Sequence, residues 1–89
     1  MISKKKEQTL PKWFKGMIYD KGEEVVNPFS NESYELNAIE LSIYDFIMGC
    51  QWVFERAPKT VTEKQVRDFH RALNWFRNNN IEAYMVLLG

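Results

Sequence analysis

Three features of the sequence predict an α+β fold, with an N-terminal β-hairpin packed on an antiparallel pair of helices and a short C-terminal helix. Residues 37–56 hold twelve large apolar or aromatic groups, Ala or Cys among twenty positions, too many for a helix with only one covered side. Residues 62–78 open on a capping signal and carry a second apolar stripe at helical spacing, and residues 13–19 alternate with the period of a strand. Together these are the pieces of a two-layer domain.

The elements follow in chain order. Residues 1–12 lack periodicity, contain Lys4, Lys5 and Lys6 in a row and end near Pro11, and are expected to form a flexible basic tail before a single domain over 13–89. Trp13, Lys15, Met17 and Tyr19 alternate with Phe14, Gly16 and Ile18, which reads as a strand. Asp20, Lys21, Gly22 and Glu23 supply a turn, with Gly22 available for positive φ, so that residues 24–27 return beside the first strand until Pro28 stops them. Residues 29–36 read as an ordered loop whose end, residues 34–36, is a short extended segment.

Helix one begins at Asn37, whose side chain is placed to cap the amide of Glu40 while Glu40 reaches back, and it ends before Pro58. One face gathers Ile39, Ile43, Phe46, Ile47, Cys50 and Phe54, and a second carries Leu41, Met48 and Trp52. Polar strips lie between them, Ser42, Asp45, Gly49 and Arg56 on one side and Glu40, Gln51 and Glu55 on the other. A two-stranded hairpin is marginal alone in water, and the Leu41/Met48/Trp52 face is its expected seat, with Trp52 buried. Thr62 and Gln65 form a second capping box, so helix two starts at Glu63 and presents Val66, Phe69, Leu73 and Phe76, with Ala72 and Trp75, to the core. Asn78, Asn79 and Asn80 end it, and residues 81–88 repeat as a short helix, with a buried strand over 84–88 as the equal alternative.

Twelve basic and twelve acidic side chains cancel, yet residues 1–19 carry a net +4, residues 20–55 a net −7 and residues 56–89 a net +3. Such polarity suits pairing within the chain or between copies, and it lacks the overall basic excess of strong nucleic-acid binders. No apolar run approaches the length of a membrane span, and the basic start has no apolar segment after it, so a soluble cytoplasmic protein is expected. One Cys excludes an internal disulfide, and one Cys with one His gives no metal cluster. The four glycines are isolated, so there is no phosphate loop, and no cofactor is expected.

Cys50 and His70 are the only members of a nucleophile pair, but Cys50 lies on the most apolar helix face, where a thiol acts as a small hydrophobe. An enzyme is therefore the least supported class. Asp45, between Ser42 and Gly49, is either solvated or, if another backbone comes close along that narrow strip, paired with a buried cation. Lys64, Arg67, Arg71, Asn74 and Asn78 share one polar stripe of helix two, the coarse outline of a nucleic-acid contact, with Glu63 and Asp68 interrupting it. Three Trp, four Tyr and six Phe both fill a small core and anchor interfaces. The chain offers little material to cover two apolar faces of helix one, so Leu41, Asp45, Met48 and Trp52 are the expected interface residues and a homodimer the expected assembly.

Four stretches carry a resemblance: Asn27-Pro28-Phe29-Ser30 with Glu32-Ser33, residues 44–49 (YDFIMG), residues 73–77 (LNWFR) and residues 84–88 (YMVLL). In that order they resemble a family of small uncharacterised proteins of large tailed bacteriophages, including marine ones, over residues 15–88. That family is expected to have Gly where this chain has Asn31, and an acidic residue more often than Gly89. The resemblance implies a phage origin and life in the host cytoplasm, and no motif in it is catalytic. The function expected is that of a non-enzymatic accessory protein acting on itself or on a phage or host protein. The alternative is a nucleic-acid-binding module using the helix-two stripe and the lysine-rich tail.

Overall fold

The computed structural model describes residues 8–88, so Lys4, Lys5 and Lys6 lie outside the described residues. In order along the chain come β1 (Glu23–Val26), β2 (Ser33–Leu36), α1 (Ala38–Arg56), a 3-10 turn (Pro58–Thr60), α2 (Glu63–Asn79) and α3 (Ile81–Leu87). The fold is α+β, an antiparallel hairpin with three helices.

Both long helices begin where their capping boxes place them. Asn37 Oδ1 accepts from the Glu40 amide at 2.8 Å and Glu40 Oε1 from the Asn37 amide at 3.0 Å. Thr62 and Gln65 repeat the arrangement at α2, at 3.1 and 2.8 Å. Each box satisfies two amides that the first turn leaves without helical partners. α1 stops at Ala57, before Pro58, and α2 returns antiparallel against it. Ile43 and Ile47 of α1 meet Ala72 and Phe76 of α2 in a core that also takes Leu36, Leu41, Ala83 and Leu87. Burying each large aliphatic or aromatic side chain here contributes about 1.5–3 kcal/mol. Phe54 closes the loop end with an edge-to-face contact on Phe69, centroids 5.1 Å apart. Val66, expected in the stripe, is exposed. Residues 81–87 are helical, held by Asn80, whose Oδ1 accepts from the Ala83 amide.

The hairpin differs from the expected one in its strands. Residues 13–19 form no strand, and β1 pairs instead with β2, Val25 opposite Tyr34 and Glu23 opposite Leu36. Val25, Tyr34 and Leu36 share the inner face, and Leu36 enters the core immediately before α1. Pairing residues 23–26 with 33–36 therefore buries a leucine that the other hairpin would leave in a loop. The turn between the strands is built on Asn27: its carbonyl accepts from Asn31, its Oδ1 from Phe29, and its Nδ2 donates to the Val86 carbonyl of α3 at 2.9 Å. Asn31 takes φ 66°, the left-handed conformation that Gly or Asn adopts at least cost.

Residues 13–19 instead lie across α1 as a strap. Trp13 and Phe14 cluster with Phe46, and the Tyr19 amide donates to Ser42 Oγ at 2.9 Å, burying Ser42 at the N-terminal end of what was expected to be a polar strip. Gln8 and Leu10 also lie on the domain, Leu10 against the core and Gln8 Nε2 on Glu40 Oε2 at 2.8 Å.

Gly22 serves close approach rather than positive φ, which no glycine among the described residues adopts. A Cβ on Gly22 would stand 2.0 Å from the Leu36 carbonyl oxygen and 2.8 Å from Asn37 Cα. Both are backbone atoms at the junction of β2 and α1 and cannot rotate away. Gly22→Ala is therefore expected to destabilise the fold by about 2 kcal/mol, read as a lower urea midpoint at unchanged slope. An unchanged midpoint would show that residues 20–22 are free to move off the junction.

Candidate interaction surface

The hairpin does not seat along the Leu41/Met48/Trp52 face. It packs at the N-terminal end of α1 and on α3, so Leu41 is buried while Trp52 is 58% exposed and Met48 is exposed beside it. Four strand residues on each side are too short to reach three turns down a nineteen-residue helix. Of the four expected interface residues, Asp45, Met48 and Trp52 are thus on the surface and Leu41 is part of the core.

Asp45, Gly49, Trp52 and Arg56 lie on one line of α1, opposite the side that faces α2, and all four are exposed. Arg56 lies over the Trp52 indole, its Cζ 5.3 Å from the ring centroid, a cation–π contact that holds both side chains. Asp45 is solvated on its outward side, and partial burial followed by its charge pushes the Tyr19 hydroxyl above its ordinary range. Gly49 has open space where a Cβ would stand, with nothing within 4 Å, so no backbone among the described residues crosses there. A hollow of about 240 Å³ opens beside it, lined by Gly16, Cys50, Val53 and Phe54 with Asp45 at its edge.

On the other flank of Met48 runs a groove of about 210 Å³ lined by Tyr44, Met48, Leu87 and Leu88. Phe29, at the tip of the hairpin turn, forms its rim and is 98% exposed. Sequence reading placed Phe29 in a loop and assigned it no role. Its position in a turn of small polar residues was the available signal, because such a turn cannot bury an aromatic.

The α2 stripe of Lys64, Arg67, Arg71, Asn74 and Asn78 is exposed throughout. Its charge is not free, however. Asp68, buried at the edge of the stripe, takes Lys64 at 2.8 Å and lies 3.6 Å from Arg71, so two of the three cations are turned toward one carboxylate. Arg77 stacks on Tyr84 and donates to Asn74.

Cys50 is half-buried, and His70 is exposed with its ring against Phe69. Burial, and then the Asp68 charge, push the Cys50 thiol above its ordinary value, away from the thiolate a nucleophile requires. Among the described residues no group of three His, Cys, Asp or Glu side chains is placed to hold a metal, and no helix is long and apolar enough to cross a membrane.

A polar cluster is centred on Glu40, which is buried and adds to its capping-box bonds two that sequence did not foretell, from Gln8 and Asn80. Its Oε2 accepts from Gln8 and from Asn80 Nδ2 at 3.0 Å, its Oε1 from the Asn37 amide, and Asn80 Oδ1 in turn faces the Tyr34 hydroxyl at 3.3 Å. This ties α1, β2 and α3 together and is structural.

No family model matches the chain, and neither the curated proteins nor the solved structures hold a match to it.

Proposed function

We propose that this chain is a non-enzymatic accessory protein that acts by binding protein through the outward face of α1, in the phage setting that its motifs imply. The observation that carries the reading is Trp52, more than half exposed on an ordered helix, held by Arg56 and flanked by Met48. Trp and Arg are the side chains that most often dominate binding energy, and a pre-ordered pair loses little entropy on association. The adjoining groove with Phe29 at its rim extends the apolar surface beyond scattered single residues.

The test is affinity capture from producing cells with wild-type and Trp52→Glu baits, matched for helical content by circular dichroism. Proteins retained by the wild type and lost from Trp52→Glu support the reading. Identical retained sets overturn it.

A second reading, nucleic-acid contact by α2 with the N-terminal lysines, is supported by the exposure of all five stripe residues. The pairing of Lys64 and Arg71 with Asp68 weighs against it. It requires affinity for DNA or RNA that falls steeply with salt, and a low-salt titration without binding removes it.

A further inference from the structure

The order of residues along the exposed line of α1 is self-complementary. Asp45, Gly49, Trp52 and Arg56 follow at spacings of four, three and four, the spacing of a coiled-coil seam. Along that line come an anion, an open space, a large ring and a cation. Asp45 and Arg56 lie equally far on either side of the point between Cys50 and Gln51, and so do Gly49 and Trp52. When two such helices run antiparallel about a two-fold axis through that point, every residue meets its mirror position. The anion then faces the cation, and the ring faces the space.

Resting on the interaction reading above, we propose that the occupant of this face is a second copy of the chain, with the two α1 helices antiparallel. Each Trp52 sits over the partner's Gly49, and each Arg56 faces the partner's Asp45. Three observations support this occupant. The hollow of about 240 Å³ beside Gly49 is apolar, lined by Cys50, Val53 and Phe54. The missing Cβ at Gly49 admits close approach of a neighbouring helix without displacing any atom of the described residues. The charges are paired in sign at both ends, so the contact is isologous and closes at two copies. Arg56, already over its own Trp52 at 5.3 Å, is exposed, and its guanidinium keeps N–H donors for a carboxylate.

Sedimentation equilibrium of the full chain, from dilute to the highest soluble concentration, tests the pairing. A mass rising to twice the 10.6 kDa of one chain is expected. Gly49→Leu fills the space from within and Trp52→Ala removes the ring, and each is expected to hold the mass at one chain with the helical signal unchanged. Asp45→Arg or Arg56→Asp alone turns both symmetry-related contacts repulsive and is expected to raise the dimer Kd roughly 30-fold. The double variant Asp45→Arg/Arg56→Asp restores the opposite-sign pairs and is expected to return within about threefold of the wild type. A monomer at every concentration overturns the proposal, as does a dimer that survives both Gly49→Leu and Trp52→Ala. Failure of the double charge reversal to recover overturns the antiparallel register. A monomeric wild type whose captured proteins are still lost from Trp52→Glu overturns self-pairing alone and leaves the interaction reading standing. The loss of both removes both.

Discussion

Phe76→Ala is expected to destabilise the protein by about 4 kcal/mol, enough to leave a chain of this size largely unfolded at moderate urea. Phe76 has no exposed surface, lies between α1 and α2, and meets Tyr44 and Trp75 at centroid separations of 6.5 and 6.2 Å. Truncating it removes transfer energy and leaves a cavity that two capped helices, fixed in register, cannot close. Phe29→Ala is the matched control. The same atoms leave a side chain that is almost wholly exposed, and the expected change is within about 0.5 kcal/mol. Urea denaturation of the pair gives the comparison directly, and equal losses would mean that the core does not lie between the helices.

Asn80→Ala is expected to cost about 3 kcal/mol, an effect that no apolar pattern foretells. Asn80 caps α3 through the Ala83 amide, which accounts for about 1 kcal/mol. Its Nδ2 is also a donor to Glu40, a buried carboxylate that then keeps only Gln8 and the Asn37 amide, and an under-satisfied buried acceptor costs a further 1–3 kcal/mol or so. The two parts separate in a double-mutant cycle with Glu40→Ala, because only the second depends on Glu40. A coupling near zero would show that Asn80 acts as a cap alone.

The helix starts were legible because capping is local: Asn37 with Glu40 and Thr62 with Gln65 satisfy their own first turns whatever packs around them. The C-terminal segment was legible as either of two structures, and Asn80 resolves it by holding the Ala83 amide. The burial of Asp68, read as an interruption of a polar stripe, and of Glu40, read as a capping residue on a polar strip, was not legible. Their burial depends on Lys64 and Arg71 in one case and on Asn80 and Gln8, forty and thirty-two residues away, in the other.

What the sequence determined by itself was the two long helices, their capped starts and the apolar stripes they carry, since each follows from neighbours within a turn or two. Tertiary structure alone decided which strands pair and which face stays open. Residues 13–19, 23–26 and 33–36 all carry extended character, and the choice among them fell to the pairing that brings Leu36 into the core beside α1. That choice seats the hairpin at the N-terminal end of the helix and lays the strap over Ser42. Trp52 remains in solvent because the four-residue strands seated at the other end of α1 are too short to reach it.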